Sequence, residues 1–194
     1  EVIKVMALMG CKDSDAYLQA SLYAYKLEPS ADAAVGCAAM AFKKGDIDGS
    51  VKFFDEAINL ETDNAKKADN AYKAASVLAS AKKLSQARSY AQKAISFNEN
   101  FGAPYILIAQ LYAGNYKWND EPALNKCTFF AAIDKLQRAK AVDPSVAEEA
   151  NKLISSYSAY TPEAKDLFML GYKAGDRITI CLLYTSDAAD DSLR

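Results

Sequence analysis

The residue types that carry most enzyme chemistry are sparse in this chain and badly spaced for it. None of the 194 residues is histidine. That removes the commonest general base and the commonest neutral metal ligand. Four cysteines are present, but none forms a C-x2-C pair, so they do not read as a zinc site. Acidic pairs occur at Asp55-Glu56, Asp120-Glu121 and Glu148-Glu149. Such charges in amphipathic helices and turns usually form the solvated face. Gly45 and Gly49 flank a short acidic stretch. No G-K-[ST] follows and no strand precedes, so it is not a phosphate loop, and it is too poor in ligands for a calcium loop. Lysines at Lys43-Lys44, Lys66-Lys67 and Lys82-Lys83 are balanced by acids, with 23 basic and 25 acidic residues. That disfavours the positive stripe nucleic acid requires. The reading is a chain with no catalytic residue set, no metal and no cofactor: not an enzyme and not a nucleic-acid binder.

The elements that would position any binding residues are helices. Alanine is abundant, while glycine and proline number only 8 and 5, which favours helix. No apolar run reaches 18 residues, so no membrane span is expected. The anchor stretch is Gly45–Thr62. Counting 34 residues from Ala31, small residues fall at Ala38, Ser50 and Ala57, with an aromatic at Phe54. Two antiparallel helices approach closely only where side chains are small, and Phe54 fills the space beside them. A second copy from Ala68 places Ala71, Ala74, Ala75 and Leu78 on its first helix, then Ala87, Ala91 and Ala94 on its second. A third places Tyr105, Ile108, Ala109 and Tyr112 before Ala132, Leu136, Ala139 and Pro144. Its inter-helix turn carries an insertion, 113–126, rich in turn residues.

Three copies at consistent offsets are the signature of a repeat. The chain resembles tetratricopeptide-repeat proteins over about residues 1–160. The resemblance implies an all-α, right-handed superhelix of antiparallel helix pairs. Its division would be a truncated first repeat at 1–29, repeats at 31–64, 68–101 and 102–144, and capping helices at 145–180. The truncated repeat keeps part of its first helix, Val2–Met9, and a second helix at Ser14–Leu27 capped by Asp13 or Ser14. The first capping helix, Ser145–Tyr157, has Ser145 as N-cap and Glu148 at the capping-box position. Pro162 opens the second, whose apolar residues are Ala164, Leu167, Phe168 and Leu170 and which Gly171 ends. A short β segment near 176–180 follows, because Arg177–Ile180 alternates.

The C-terminal part, together with AKAVDPSVAEEANKL, looks like a bacterial subgroup of these proteins that carries export signals. That implies a periplasmic or outer-surface location. The chain opens at Glu1, so its true start is expected to be missing. The tail 181–194 resembles a translated sequencing-adapter read-through in a metagenomic fragment, with a genuine acidic tail as the alternative. Cys37 reads as a small core residue. Cys11 and Cys127 fall in or near turns, where a disulfide stays open if the protein is exported.

The resemblance implies a protein- or peptide-binding scaffold, of unknown partner and oligomeric state. The family binds through fixed positions on the concave face of each first helix. Here these are Asp32, Phe42 and Lys43, then Asp69, Tyr72, Ser76 and Ser80, then Gln110. The set lacks the lysine and asparagine cluster that clamps a terminal carboxylate. The insertion adds Tyr116 and Trp118, which either contact a partner or fold back over the helix ends. The alternative is a structural subunit in a cell-envelope assembly, its groove filled by its own last helices, acting through its outer surface.

Overall fold

A computed structural model describes Met6, Met9, Gly10, residues 14–173 and residues 175–180. Most of Val2–Met9, Asp13, Cys11 and the tail 181–194 lie outside the described residues. The chain divides into two compact units, Glu1–Asn98 and Glu99–Arg194.

In the first unit, the alanine-rich segments form α1 (Asp15–Leu27), α2 (Ala31–Lys43), α3 (Ile47–Leu60), α4 (Asn64–Ser80) and α5 (Leu84–Phe97). Short polar residues stand where the first four of these helices start. The Ser14 hydroxyl accepts from the Tyr17 N–H at 3.2 Å, and Ser30 from Ala33 at 3.4 Å. The carboxylates of Asp46 and Asp63 accept from Gly49 and Lys66 at 2.8 and 3.0 Å. Each satisfies one otherwise orphaned N–H of the first turn. The start of α5, at Lys83, has no such side-chain cap.

The turns after α2 and α4 are built alike. Gly45 N–H donates to Phe42 O and Asp46 N–H to Ala41 O. Lys82 N–H donates to Ala79 O and Lys83 N–H to Leu78 O. This is the Schellman closure, whose penultimate residue must be left-handed. Gly45 adopts φ 79° without steric cost, but the equivalent position in the second turn is Lys82, at φ 61°.

Consecutive helices pack in chain order, α1 on α2, α2 on α3, α3 on α4 and α4 on α5. The contacts close on small residues. Ala34, Ala38, Ala57, Ala71, Ala74, Ala87, Ala91 and Ala94 are completely buried. Phe54 packs with Ala38, Ala74 and Val77, joining three helices, while Ile58 packs with Ala71 and Ala94. α1 and α2 approach closely, for a Cβ added to Gly36 would stand 2.3 Å from Ser21 Cβ. Ser21 tolerates full burial because its hydroxyl donates to Tyr17 O at 2.9 Å. Alternate helices also touch. The Tyr25 ring meets Phe53 edge-on at 5.5 Å. Asp55 accepts from Tyr90 Oη at 2.5 Å and from Lys93 Nζ at 3.0 Å. Burial, and then the Asp55 carboxylate, push the Tyr90 phenol pKa well up.

The second unit contains α6 (Gly102–Gly114), α7 (Pro122–Lys126), α8 (Thr128–Val142), a 3-10 turn (Pro144–Val146), α9 (Ala147–Ser158) and α10 (Ala164–Met169). α6 and α9 both pack on α8. Tyr105, Ile108, Ala109 and Tyr112 of α6 and Ala132, Leu136 and Ala139 of α8 are buried.

Three sequence expectations differ here. Ser145 does not cap a helix, because Asp143 caps the 3-10 turn, accepting from Ser145 N–H at 3.1 Å and Ser145 Oγ–H at 2.6 Å. Glu148 accordingly pairs forward with Lys152 at 2.6 Å instead of reaching back to a cap. The helix after Pro162 is a short one that starts at Ala164, and Ala164, Phe168 and Leu170 are exposed. In the expected β segment, Thr179 makes an isolated bridge and no strand forms among the described residues.

Two substitutions test the packing and the turn. Gly36→Ala is expected to cost about 1–3 kcal/mol in urea unfolding, because Ser21 Cβ is fixed to its backbone and cannot rotate away. Adding Ser21→Gly should recover most of that loss. Lys82→Gly is expected to raise stability by about 1 kcal/mol, since it removes the left-handed strain of a side-chain-bearing residue. An unchanged midpoint would place the strain elsewhere.

Candidate functional site

The residues carried forward as a binding face stand on α2 and α4 in the first unit, with Gln110 on α6 in the second. Helical spacing puts Asp32, Val35, Ala39, Phe42 and Lys43 on one stripe of α2, and Asp69, Tyr72, Ser76, Ala79 and Ser80 on one stripe of α4. Asp32, Phe42, Lys43, Ser80 and Gln110 are exposed, and Asp69, Tyr72 and Ser76 are half-buried. Residues on the opposite sides of these two helices, among them Ala34, Cys37, Ala71 and Leu78, are buried.

Several charges on this face are already matched. Lys43 Nζ lies 2.6 Å from Asp15 at the start of α1, and Lys73 Nζ lies 2.5 Å from Asp69 one turn away. The Lys43 ammonium holds the Asp15 carboxyl below its ordinary range, by hydrogen bond first and charge second. Both partners are largely exposed, so the pair adds little to stability. The two serine hydroxyl protons are spent on their own helix. Ser76 Oγ donates to Tyr72 O at 3.0 Å and Ser80 Oγ to Val77 O at 2.7 Å. Their oxygens can still accept. Tyr72 packs against Ile58, Ala71 and Ala94 beside Phe97, which fixes its ring on a rigid base. Phe42 is 43% exposed. The arrangement offers aromatic and aliphatic surface beside charges that are largely matched.

The insertion is the second candidate. Only part of 113–126 is irregular, because α6 runs on to Gly114 and Pro122–Lys126 forms α7. Asn125 organises the remainder. Its Oδ1 accepts from the N–H groups of Trp118 and Asn119 at 2.9 and 2.8 Å, and its Nδ2 donates to Asn119 O at 2.8 Å. Trp118 Nε1 donates to Thr128 Oγ1 at 3.1 Å, and Tyr116 packs on Phe129 at 5.6 Å between centroids. Phe129 also meets Tyr157 and Tyr160. Both Tyr116 and Trp118 are thus half-buried against α8. Asn125 was not legible as a site residue; the only signal was an amide in a turn-rich segment.

Asp143 is likewise a residue that the sequence reading missed. Besides its own turn, its carboxylate accepts from Gly102 N–H at 3.0 Å, capping α6 from 41 residues away. The Ser145 hydroxyl, and then the Gly102 N–H, hold its pKa down. Gly102 must lack a side chain, because an added Cβ would lie 2.6 Å from Val146 Cγ2 and 2.8 Å from Asp143 Cβ.

Cys37 and Cys127 are buried free thiols, and burial raises the pKa of each. Cys127 Sγ donates to Ala123 O at 3.5 Å. Among the described residues, no group of three or more Cys, Asp or Glu side chains is placed to hold a metal ion. No helix there is long and apolar enough to cross a membrane.

Capped helix pairs closing on small residues define the class: an all-α fold of the tetratricopeptide type. Among solved structures, the chain is similar to one described as "Crystal structure of MamA". The two share 15% identity with a TM-score of 0.55, over 88% of this chain and 95% of that one. At that identity the likeness shows the fold alone. No family model matches the sequence, and no curated protein matches it.

The insertion has a direct reporter, since Trp118 is the only tryptophan. Asn125→Ala removes three hydrogen bonds to the insertion backbone and is expected to shift tryptophan emission to the red. Thr128→Val should give a smaller shift. Emission unchanged in Asn125→Ala would show that the ring, and not the amide, holds the segment.

Proposed function

We propose that the chain is a protein- or peptide-binding scaffold of the tetratricopeptide type, with α2 and α4 supplying the contact face. The observation that carries this reading is the accessibility of one stripe on two packed helices: Asp32, Phe42, Lys43 and Ser80 are exposed while Ala34, Cys37, Ala71 and Leu78 on the opposite sides of α2 and α4 are buried. Such a face fits an extended or helical segment bearing an apolar anchor. Aromatic residues held on a packed base contribute most of the energy in contacts of this kind. Lys43 and Asp69, already paired, would set orientation more than affinity. The repeat division at 31–64, 68–101 and 102–144 belongs to the same reading, as do Gln110 and the insertion residues Tyr116 and Trp118 as outlying contacts.

Panning the chain against a displayed random-peptide library tests it. Selected peptides are expected to lose at least about tenfold in affinity for Phe42→Ala and Tyr72→Ala, with the circular dichroism of both variants unchanged. Peptides bound equally well by both variants would remove this face from consideration.

A further inference from the structure

The polar groups that the α2 and α4 face can still offer a partner are of one kind. Ser76 and Ser80 have committed their hydroxyl protons to Tyr72 O and Val77 O. What remains on each is an oxygen that accepts. The charged groups Lys43 and Asp69 are already matched, by Asp15 and by Lys73. Asp32 is not matched. It is exposed, stands in the first turn of α2 and makes no ion pair among the described residues. Its carboxylate, too, offers acceptors and no donor.

The placement of these groups gives the face a direction. Asp32 and Asp69 hold the same place in their helices, each the same number of residues before the left-handed residue of its turn, Gly45 or Lys82. One helical turn further on stand Val35 and Tyr72, both half-buried. At the far end of α2 the exposed Lys44 makes no ion pair among the described residues. The unmatched charges of α2 thus run from a carboxylate at its start to an ammonium just past its end, about 18 Å apart along the axis. An acidic side chain laid at the start of α2 would meet Asp32 as a like charge, and a neutral acceptor would meet only acceptors. A donor-bearing cation satisfies both conditions.

We propose that the partner is a cationic segment, in which an arginine or lysine carried within about one helical turn of the apolar anchor donates to Asp32 while the anchor rests on Val35 and Tyr72. The inference rests on the reading of α2 and α4 as the contact face and names the chemistry of what that face takes. Arginine fits better than lysine, because its guanidinium forks onto a carboxylate and also lies flat on an aromatic ring. Lys73 limits the attraction, since it occupies the second carboxylate of the face, that of Asp69.

The peptides panned from the random library are the probe, each synthesised with a fluorophore and titrated by anisotropy, with circular dichroism of every variant as the folding control. Peptides selected by the wild type are expected to carry Arg or Lys above their frequency in the unselected library. Asp32→Asn should weaken their binding about three- to tenfold and flatten its dependence on salt. Lys73→Ala should tighten it at least about twofold, by freeing Asp69. Exchanging the peptide's Arg for Gln should cost the wild type about what Asp32→Asn costs, and cost the Asp32→Asn variant nothing further. Selected peptides with no excess of basic residues would overturn the proposal. So would an Asp32→Asn variant that binds them as the wild type does, or a Lys73→Ala variant that binds them more weakly. If such peptides still lost affinity for Phe42→Ala and Tyr72→Ala, the contact face would stand and the charge rule alone would fall. A library that yields no binder would remove both.

Discussion

The whole arrangement depends on how closely two helix backbones can approach. Where α1 crosses α2, Gly36 lies against Ser21 with no room for a methyl group. Elsewhere Ala38, Ala57, Ala71 and Ala94 do the same work at zero exposure. Small residues bury little apolar area each, so they stabilise chiefly by letting larger neighbours reach across. Phe54 is the clearest case, filling the space that Ala38 and Ala74 leave open.

Polar groups are arranged around that packing so that few are stranded. Ser14, Ser30, Asp46 and Asp63 cap their own helices, and Asp143 caps a helix far from it in sequence. Ser50 is an exception: its hydroxyl is buried with no partner. Ser50 stands at a small-residue position of α3, and there size is what the packing selects. An unmade hydrogen bond is a tolerable cost where a bulkier residue would force the helices apart. The exposed ion pairs, Lys43 with Asp15 and Lys83 with Asp48, lie on the surface and hold side chains in place without carrying the fold.

The second unit shows a different balance. Its insertion is closed by side-chain amides and ring contacts, with Asn125 holding two successive N–H groups and Trp118 reaching Thr128. Phe129 gathers Tyr116, Tyr157 and Tyr160 around it. Ring contacts close the insertion, because the chain between α6 and α8 is too long for a tight turn, while the two helices still meet through Ala109, Ala132 and Ala139.

The sequence by itself determined the helices and core faces up to the last short helix, whose apolar residues Phe168 and Leu170 are exposed. Alanine spacing, Phe54, Ser14 and the Gly45-Asp46 break report local geometry, and local geometry is what periodicity encodes. It also placed Cys37, Tyr105 and Leu136 in the interior, since a 3.6-residue period marks one face of a helix. Only the tertiary structure decided the rest. Asp143 reaches Gly102 across 41 positions, so no window of sequence contains both. Ser145 has the composition of a helix cap, yet Asp143 takes the turn because its carboxylate is the stronger acceptor and also meets α6. Lys82 hides a left-handed turn that a glycine would have announced. The exposure of Tyr23 and Leu27 was equally invisible, because helical spacing marks a face without saying what packs on it.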